Sequence, residues 1–127
     1  MDRRTQRLDT GRLGEDIAAQ HLSERGYQIL HRNLRLRIGE LDIVAARPGE
    51  LRFVEVRTVR TSYLASPVES VSVRKRRQVA RVAQAYLARW PQPGVLVSCD
   101  VIGVRLHDGE ATVEWVRDAF GEGGEAW

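Results

Sequence analysis

The segment GELDIVAARPGELRFVEVR, Gly39 to Arg57, reads as two strands joined at Pro48-Gly49, yet it carries Glu40, Asp42, Glu55 and Arg57. Strand side chains alternate between faces, so Glu40, Asp42, Val44 and Ala46 share one face, as do Leu51, Phe53, Glu55 and Arg57. A two-residue loop at Pro48-Gly49 pairs Arg47 with Glu50. Counting back, Val44 meets Phe53, Asp42 meets Glu55, and Glu40 meets Arg57. The two carboxylates then sit opposite one another, their side-chain roots about 5 Å apart, and repel. A divalent cation removes that conflict: Mg²⁺ is typically held by one or two carboxylates together with substrate phosphates. The simpler account slips the register by two residues, which sets Asp42 opposite Arg57 as an ordinary cross-strand ion pair of little worth.

Two further groups bear on the choice. Glu15, Ala18, Ala19 and Leu22 lie at i, i+3, i+4 and i+7, so Glu15 shares a helix face with small and apolar residues. The dipole of a first helical turn also favours an acid there. Later in the chain, RKRR (Arg74 to Arg77) falls in the first turn of a second helix, where each cation is disfavoured by roughly 0.3–1 kcal/mol. Such a run is often only a solvated face, but a phosphate backbone would satisfy it. Lys75 with Val79 and Val82 forms an i, i+4, i+7 set that aims it inward.

The elements that must position these residues follow from periodicity. Residues 1–10 read as a mobile basic arm, and a helix is predicted from about Gly11 to Arg25, with Thr10 as N-cap and Gly26 as the stop. YQILHRNLRLRIG follows as a half-buried strand in which Leu34, Leu36 and Ile38 alternate with Arg35 and Arg37. Strands over about 40–47 and 51–59 flank Pro48-Gly49, and a loop spans roughly 60–71. Val79, Val82, Ala83, Tyr86, Leu87 and Trp90 then form one apolar helical stripe, with Ser72 as N-cap and Pro91 and Pro93 as terminators. Strands at about 95–106 and 111–117 turn at Asp108-Gly109. The tail 121–127, ending in Trp127, reads as flexible. The order is α-β-β-β-α-β-β.

Composition narrows the class. A chain of 127 residues suits one domain with a core of its own. There is no long uncharged apolar run and no apolar secretory segment at the start, so a cytoplasmic protein without a membrane span is expected. Cys99 is the one cysteine, which leaves no disulfide framework and no cysteine-rich zinc site. His21, His31 and His107 lack metal-ligand spacing, and GEGG near the end lacks the context of a phosphate-binding loop. The net charge is only +3, but 19 of the 20 basic residues are Arg, the side chain best suited to bidentate phosphate contacts.

The blocks GRLGEDIAAQHL, RNLRLRIGELDIVA, LRFVEVR, PVESVSVRKRRQVARVAQAYL and VEWVRDAF resemble, in order, the signature blocks of the YraN-like family, over about Gly11 to Phe120. That family is placed by fold in the PD-(D/E)XK nuclease-like superfamily and is most like archaeal Holliday junction resolvases. The resemblance implies an α/β fold with a restriction-endonuclease-like αβββαβ core, its central mixed sheet flanked by two helices, in a single domain over 11–120. It implies that Glu15 is the helix acid, Asp42 the motif Asp and Glu55 the acid of the Glu-x-Lys element. Together these would hold Mg²⁺ or Mn²⁺. Arg57 stands where that element has Lys, and Lys75 matches a basic position at the start of the following helix. Arginine can stabilise phosphate charge but will not take a proton.

The expected function is metal-dependent phosphodiester hydrolysis on DNA, branched or otherwise structured, with Asp42, Glu55, Arg57 and Lys75 catalytic. Arg35, Arg37, Arg74, Arg76 and Arg77 would contact the backbone without reading sequence. A nucleic-acid-binding module that kept the fold and lost the chemistry is the alternative, and Arg57 favours it. A protein adaptor with an ion-paired acidic face is the third. Resolvase-like folds often work as homodimers.

Overall fold

The structure, a computed structural model, describes residues 3–60, Ser66, Glu69 and 71–118, with side chains from residue 9 onward. Its elements are α1 (Arg3–Ser23), β1 (Gln28–Leu36), β2 (Gly39–Arg47), β3 (Glu50–Val59), α2 (Val73–Arg89), β4 (Leu96–His107) and β5 (Glu110–Val116). The five strands form one sheet in the order β1-β2-β3-β4-β5. Every neighbouring pair is antiparallel except β3 and β4, which run parallel because α2 carries the chain back across the sheet. This is the mixed α/β sheet with two helices that the sequence predicts.

The helices cover opposite faces. On one, Val79, Val82, Ala83 and Tyr86 of α2 pack on Leu41, Val44, Leu51, Phe53 and Val101. On the other, Ala18 and Leu22 of α1 pack on Ile43, Ala45, Val54, Ile102 and Val104. Successive residues of β2 and β3 therefore feed two cores, which is why both strands are nearly continuous apolar runs at their centres. Each fully buried aliphatic side chain contributes roughly 1.5–3 kcal/mol.

Helix α2 starts where expected: the Ser72 hydroxyl accepts from the Lys75 N–H at 3.1 Å. Helix α1 does not. It begins at Arg3 rather than Gly11, so residues 3–10, read from sequence as an arm, are helical. No proline or other breaker interrupts that stretch, and Thr10, instead of capping, accepts from Arg60 Nε through its hydroxyl. The C-terminal stop is as predicted: Gly26 takes φ +88°, and Tyr27 N–H returns to Leu22 O at 3.1 Å. The tail 121–127, Trp127 and most of the 60–71 loop lie outside the described residues. Among the described residues no helix is long and apolar enough to cross a membrane.

Candidate functional site

The hairpin register counted from sequence holds from the turn inward: Arg47 pairs with Glu50, Ala46 with Leu51, Val44 with Phe53 and Ile43 with Val54. There the β2–β3 ladder stops, although both strands continue. β2 remains paired to β1 as far as Gly39, and β3 remains paired to β4 as far as Val59. The sheet thus forks immediately after Ile43 and Val54, and the first residues inside the fork are Asp42 and Glu55. The backbone N–H of Val56, which the parting strand no longer satisfies, donates to Asp42 Oδ2 at 2.7 Å. The Asp42 and Glu55 carboxyl groups are close enough for each to perturb the other's pKa. The alternative register, with Asp42 opposite Arg57, does not occur. Neither does the expected pairing of Glu40 with Arg57: beyond the fork Glu40 turns to β1 and pairs with Arg35 at 3.2 Å.

Two carboxyls this close in a poorly solvated place cannot both ionise cheaply. Glu55 is only 7% exposed, and burial first, then the Asp42 charge, pushes its pKa up to about 8. Asp42 is also raised, chiefly by burial, against the lowering pull of the Val56 N–H. Glu15 reaches in from α1; burial and then the Asp42 charge raise its pKa, while Arg32 and Arg12 oppose the shift. Buried oxygens Glu15 Oε1 and Glu55 Oε2 have no hydrogen-bond partner. The cation facing Glu55 is Lys75, its Nζ 3.8 Å from Oε1. Arg57 is exposed and lowers the Glu55 pKa less than Lys75 does.

Helix α1 can deliver Glu15 because of the residue before it. Gly14, Ala18 and Leu22 form its contact row, and at Gly14 the helix lies so close to β3 that an added Cβ would fall 1.8 Å from Thr58 Oγ1. Sequence reasoning placed Glu15 on the right side of the helix but assigned Gly14 no role. A glycine inside a helix, which costs about 1 kcal/mol relative to alanine, was the signal.

Among the described residues no three His, Cys, Asp or Glu side chains are gathered as a ready-made metal cage. The donor set still fits a hard divalent cation. Two adjacent carboxyls with raised pKa values, and two buried oxygens without partners, are what a Mg²⁺-type ion relieves, and such ions keep several waters rather than demanding an all-protein shell. Asp42 and Glu55, with Glu15 beside them, are the residues able to hold one.

The remaining residues named from sequence lie on several different elements. Arg74 and Arg77 are exposed on the first turns of α2, while Arg76 is half-buried with Nε unpartnered. Arg35 and Arg37 are exposed on and just after β1. The three histidines are separate: His21 stands edge-on to Trp115, His31 Nε2 lies 3.3 Å from the Tyr86 hydroxyl, and His107 faces Asp108 at 3.1 Å. Cys99 is half-buried and unpaired, and burial lifts its thiol pKa to about 12, far from reactive.

One charged group went unread in the sequence. Arg52, on β3, is buried beneath Tyr27 and Trp115 and donates to Tyr27 OH at 2.8 Å, Ser98 Oγ at 2.9 Å and Asp100 Oδ2 at 3.0 Å. Asp100, fully buried, also accepts from Trp115 Nε1 at 2.9 Å and Asp118 N–H at 3.0 Å. Each atom of this network has a partner, which marks it as a brace between β3, β4 and β5 rather than a site.

A sequence model of the family described as "Uncharacterised protein family UPF0102" matches residues 14–104, the stretch holding Glu15, Asp42, Glu55, Arg57 and Lys75. A UPF0102 protein of Syntrophotalea carbinolica is 48% identical over 115 residues, covering 91% of this chain and 94% of that one. A UPF0102 protein of a Parafrankia species is 44% identical over 117 residues, 91% of this chain and 98% of that one. One from Syntrophomonas wolfei is 38% identical over 112 residues, covering 88% and 97%. With its forked sheet, its two helices and this likeness over nearly its full length, the chain belongs to family UPF0102, the YraN family of PD-(D/E)XK nuclease-like proteins.

Proposed function

We propose that this protein is a metal-dependent phosphodiesterase acting on DNA, with Asp42 and Glu55 as its metal-holding pair. The observation that carries the reading is that pair: two facing carboxyls, in a fork where the sheet has stopped pairing, beside the amine of Lys75 at 3.8 Å. A protein that needed only stability would not place a buried like-charge pair there, since an apolar pair is at least as stable.

In this reading Asp42 and Glu55 would hold Mg²⁺ or Mn²⁺, with Glu15, whose buried Oε1 has no partner, as the third acid. The bound ion would supply an acidified water and charge neutralisation at the phosphate. Asp42 is held in orientation by the Val56 N–H. Lys75, anchored in the first turn of α2, puts a positive charge beside Glu55 where phosphate charge develops. Arg57 would add a second, weaker at Glu55 than Lys75. Arg35, Arg37, Arg74, Arg76 and Arg77 would serve as backbone contacts. The decisive experiment is cleavage of labelled junction, flap and linear DNA in Mg²⁺ or Mn²⁺, with Asp42→Ala as contamination control, alongside calorimetric titration with Mn²⁺. Metal-dependent cleavage lost in Asp42→Ala is expected.

The second reading, a nucleic-acid-binding module without catalysis, is favoured by one feature, Arg57 at the lysine position of the motif. DNA binding without cleavage in either metal would establish it. Absence of Mn²⁺ binding would sink both the metal and the hydrolysis.

A further inference from the structure

The +3 net charge hides a strong separation. Helix α2, VRKRRQVARVAQAYLAR, carries six basic residues and no acidic one. Removing those six from the total of 20 leaves 14 basic against 17 acidic residues elsewhere, a net −3. All of the chain's positive excess therefore sits on one helix. Within it, Arg74, Arg77 and Arg81 fall at i, i+3 and i+7 and are all exposed, forming one stripe on the outer face. No ion pair joins any of the three to a described carboxylate. The opposite face of the helix, Val79, Ala80, Val82, Ala83 and Tyr86, is buried. It cannot enter a bilayer, which removes the membrane-surface role that a basic amphipathic helix otherwise has.

We infer that the outer face of α2 is a track for a phosphodiester backbone, with Arg81 as its far end, along which the strand held at Glu55 continues away from the carboxylate pair. The track starts at the site, since Lys75 in the same first turn reaches to 3.8 Å from Glu55. From residue 74 to residue 81 the helix rises about 10 Å, long enough for the stripe to meet more than one phosphate of a strand. The stripe presents no side chain suited to base edges other than arginine at a fixed spacing, so the track holds the strand without selecting sequence. The inference rests on the reading that the carboxylate site handles phosphodiesters, and it adds where the polymer lies.

The test is equilibrium binding in EDTA, by fluorescence anisotropy, of a mixed-sequence single strand and a duplex of equal length across a sodium chloride series. The proteins are wild type, Arg81→Ala, the triple Arg74→Ala, Arg77→Ala, Arg81→Ala, and Arg25→Ala as control. Arg25 lies past the end of α1 and donates to His21 O, away from the track. Arg81→Ala should make the log-log salt slope shallower by up to about 0.9 for duplex and about 0.7 for single strand. That is about 3.5-fold in affinity between 50 and 200 mM salt for the duplex. The triple should lose two to three times as much, and Arg25→Ala nothing. A triple variant that melts like wild type and keeps its slope overturns the track. So does a wild type that binds a poly-glutamate peptide but neither nucleic acid. Intact slope losses in a protein that never cleaves would refute the hydrolysis and leave the track standing. If the triple does not fold, Arg81→Ala alone decides.

Discussion

Replacing Glu55 with Gln tests the electrostatics of the site without any substrate. The two side chains have the same shape, so the core around Phe53 and Val54 is unaffected, but the variant cannot ionise. In the wild type the folded-state pKa of Glu55 is about 8 against an ordinary 4.5. The native state therefore binds more protons than the unfolded state between those values. Its stability contribution is fully present below about 4.5 and is lost as pH rises through 8, the opposite of a salt-bridged carboxylate. At 1.36 kcal/mol per unit, the full gap amounts to about 4–5 kcal/mol. At pH 7 the wild type has lost roughly 3 kcal/mol of it, and at pH 5 less than 1 kcal/mol. Glu55→Gln should thus be the more stable protein in EDTA at pH 7, by up to about 3 kcal/mol or some 10 °C in melting temperature. The forfeited Lys75 contact and the mutual influence of Glu55 and Asp42 reduce this, because the pair titrates as a unit. The gap should narrow towards pH 5. With excess Mn²⁺ the order should reverse, since the wild type gains a ligand and the variant has lost a donor. Thermal melts at pH 5, 6, 7 and 8, with and without metal, give the answer. Equal pH dependence for the two proteins in EDTA would mean that Glu55 is ordinarily solvated and that the site is read wrongly.

Three other outcomes follow from separate features. Gly14→Ala should destabilise by about 2 kcal/mol or more and weaken Mn²⁺ binding, because the new methyl meets Thr58 Oγ1 at 1.8 Å and pushes Glu15 outward; Thr58→Ala should recover part of the loss in melting temperature. Asp100→Ala leaves the Arg52 guanidinium buried without its carboxylate and should cost about 3–5 kcal/mol by urea denaturation, whereas cleavage per folded molecule should be little changed. Lys75→Met should cost more cleavage than Arg57→Ala, and Arg57→Lys should keep most of it, measured as turnover of a labelled junction; equal losses would mean that Lys75 has no privileged place beside Glu55.

The sequence was most legible where a periodicity ran into a covalent or conformational stop. The α2 stripe from Val79 to Leu87, the hairpin register set by Pro48-Gly49 and the β4–β5 turn at Asp108-Gly109 all came through, because each rests on local rules, whereas Trp90, read onto that stripe, is the exposed C-cap of α2. The start of α1 did not. Thr10-Gly11 looks like a cap, yet nothing before it forbids a helix, and the structure continues the helix back to Arg3. The Arg52–Asp100 brace was invisible for another reason: its partners are 48 residues apart and meet only through the parallel β3–β4 pairing. Nothing in the strand's own alternation announces it either, because the cover over Arg52 comes from Tyr27 and Trp115 on other parts of the chain. The error over Glu40 and Arg57 was more informative. Extending the register past Ile43 and Val54 assumes that a ladder continues, whereas it ends there and leaves Asp42 and Glu55 inside the fork.

The fork also changes what the Arg57 departure means. In a continuous hairpin, the residue two beyond Glu55 would be the nearest cation on that face, and an arginine there would have to supply everything the motif lysine does. Once the strands part, the space beside Glu55 opens towards α2, and the cation that fills it comes from the first turn of that helix. That cation is Lys75, the one lysine among 20 basic residues in a chain that otherwise uses arginine throughout. A compact ammonium fits within 3.8 Å of a carboxyl that already faces Asp42, where a planar guanidinium needs more room and a bidentate partner. The position that the resemblance gives to a lysine and the cation beside Glu55 are then separable: the first holds Arg57, the second Lys75.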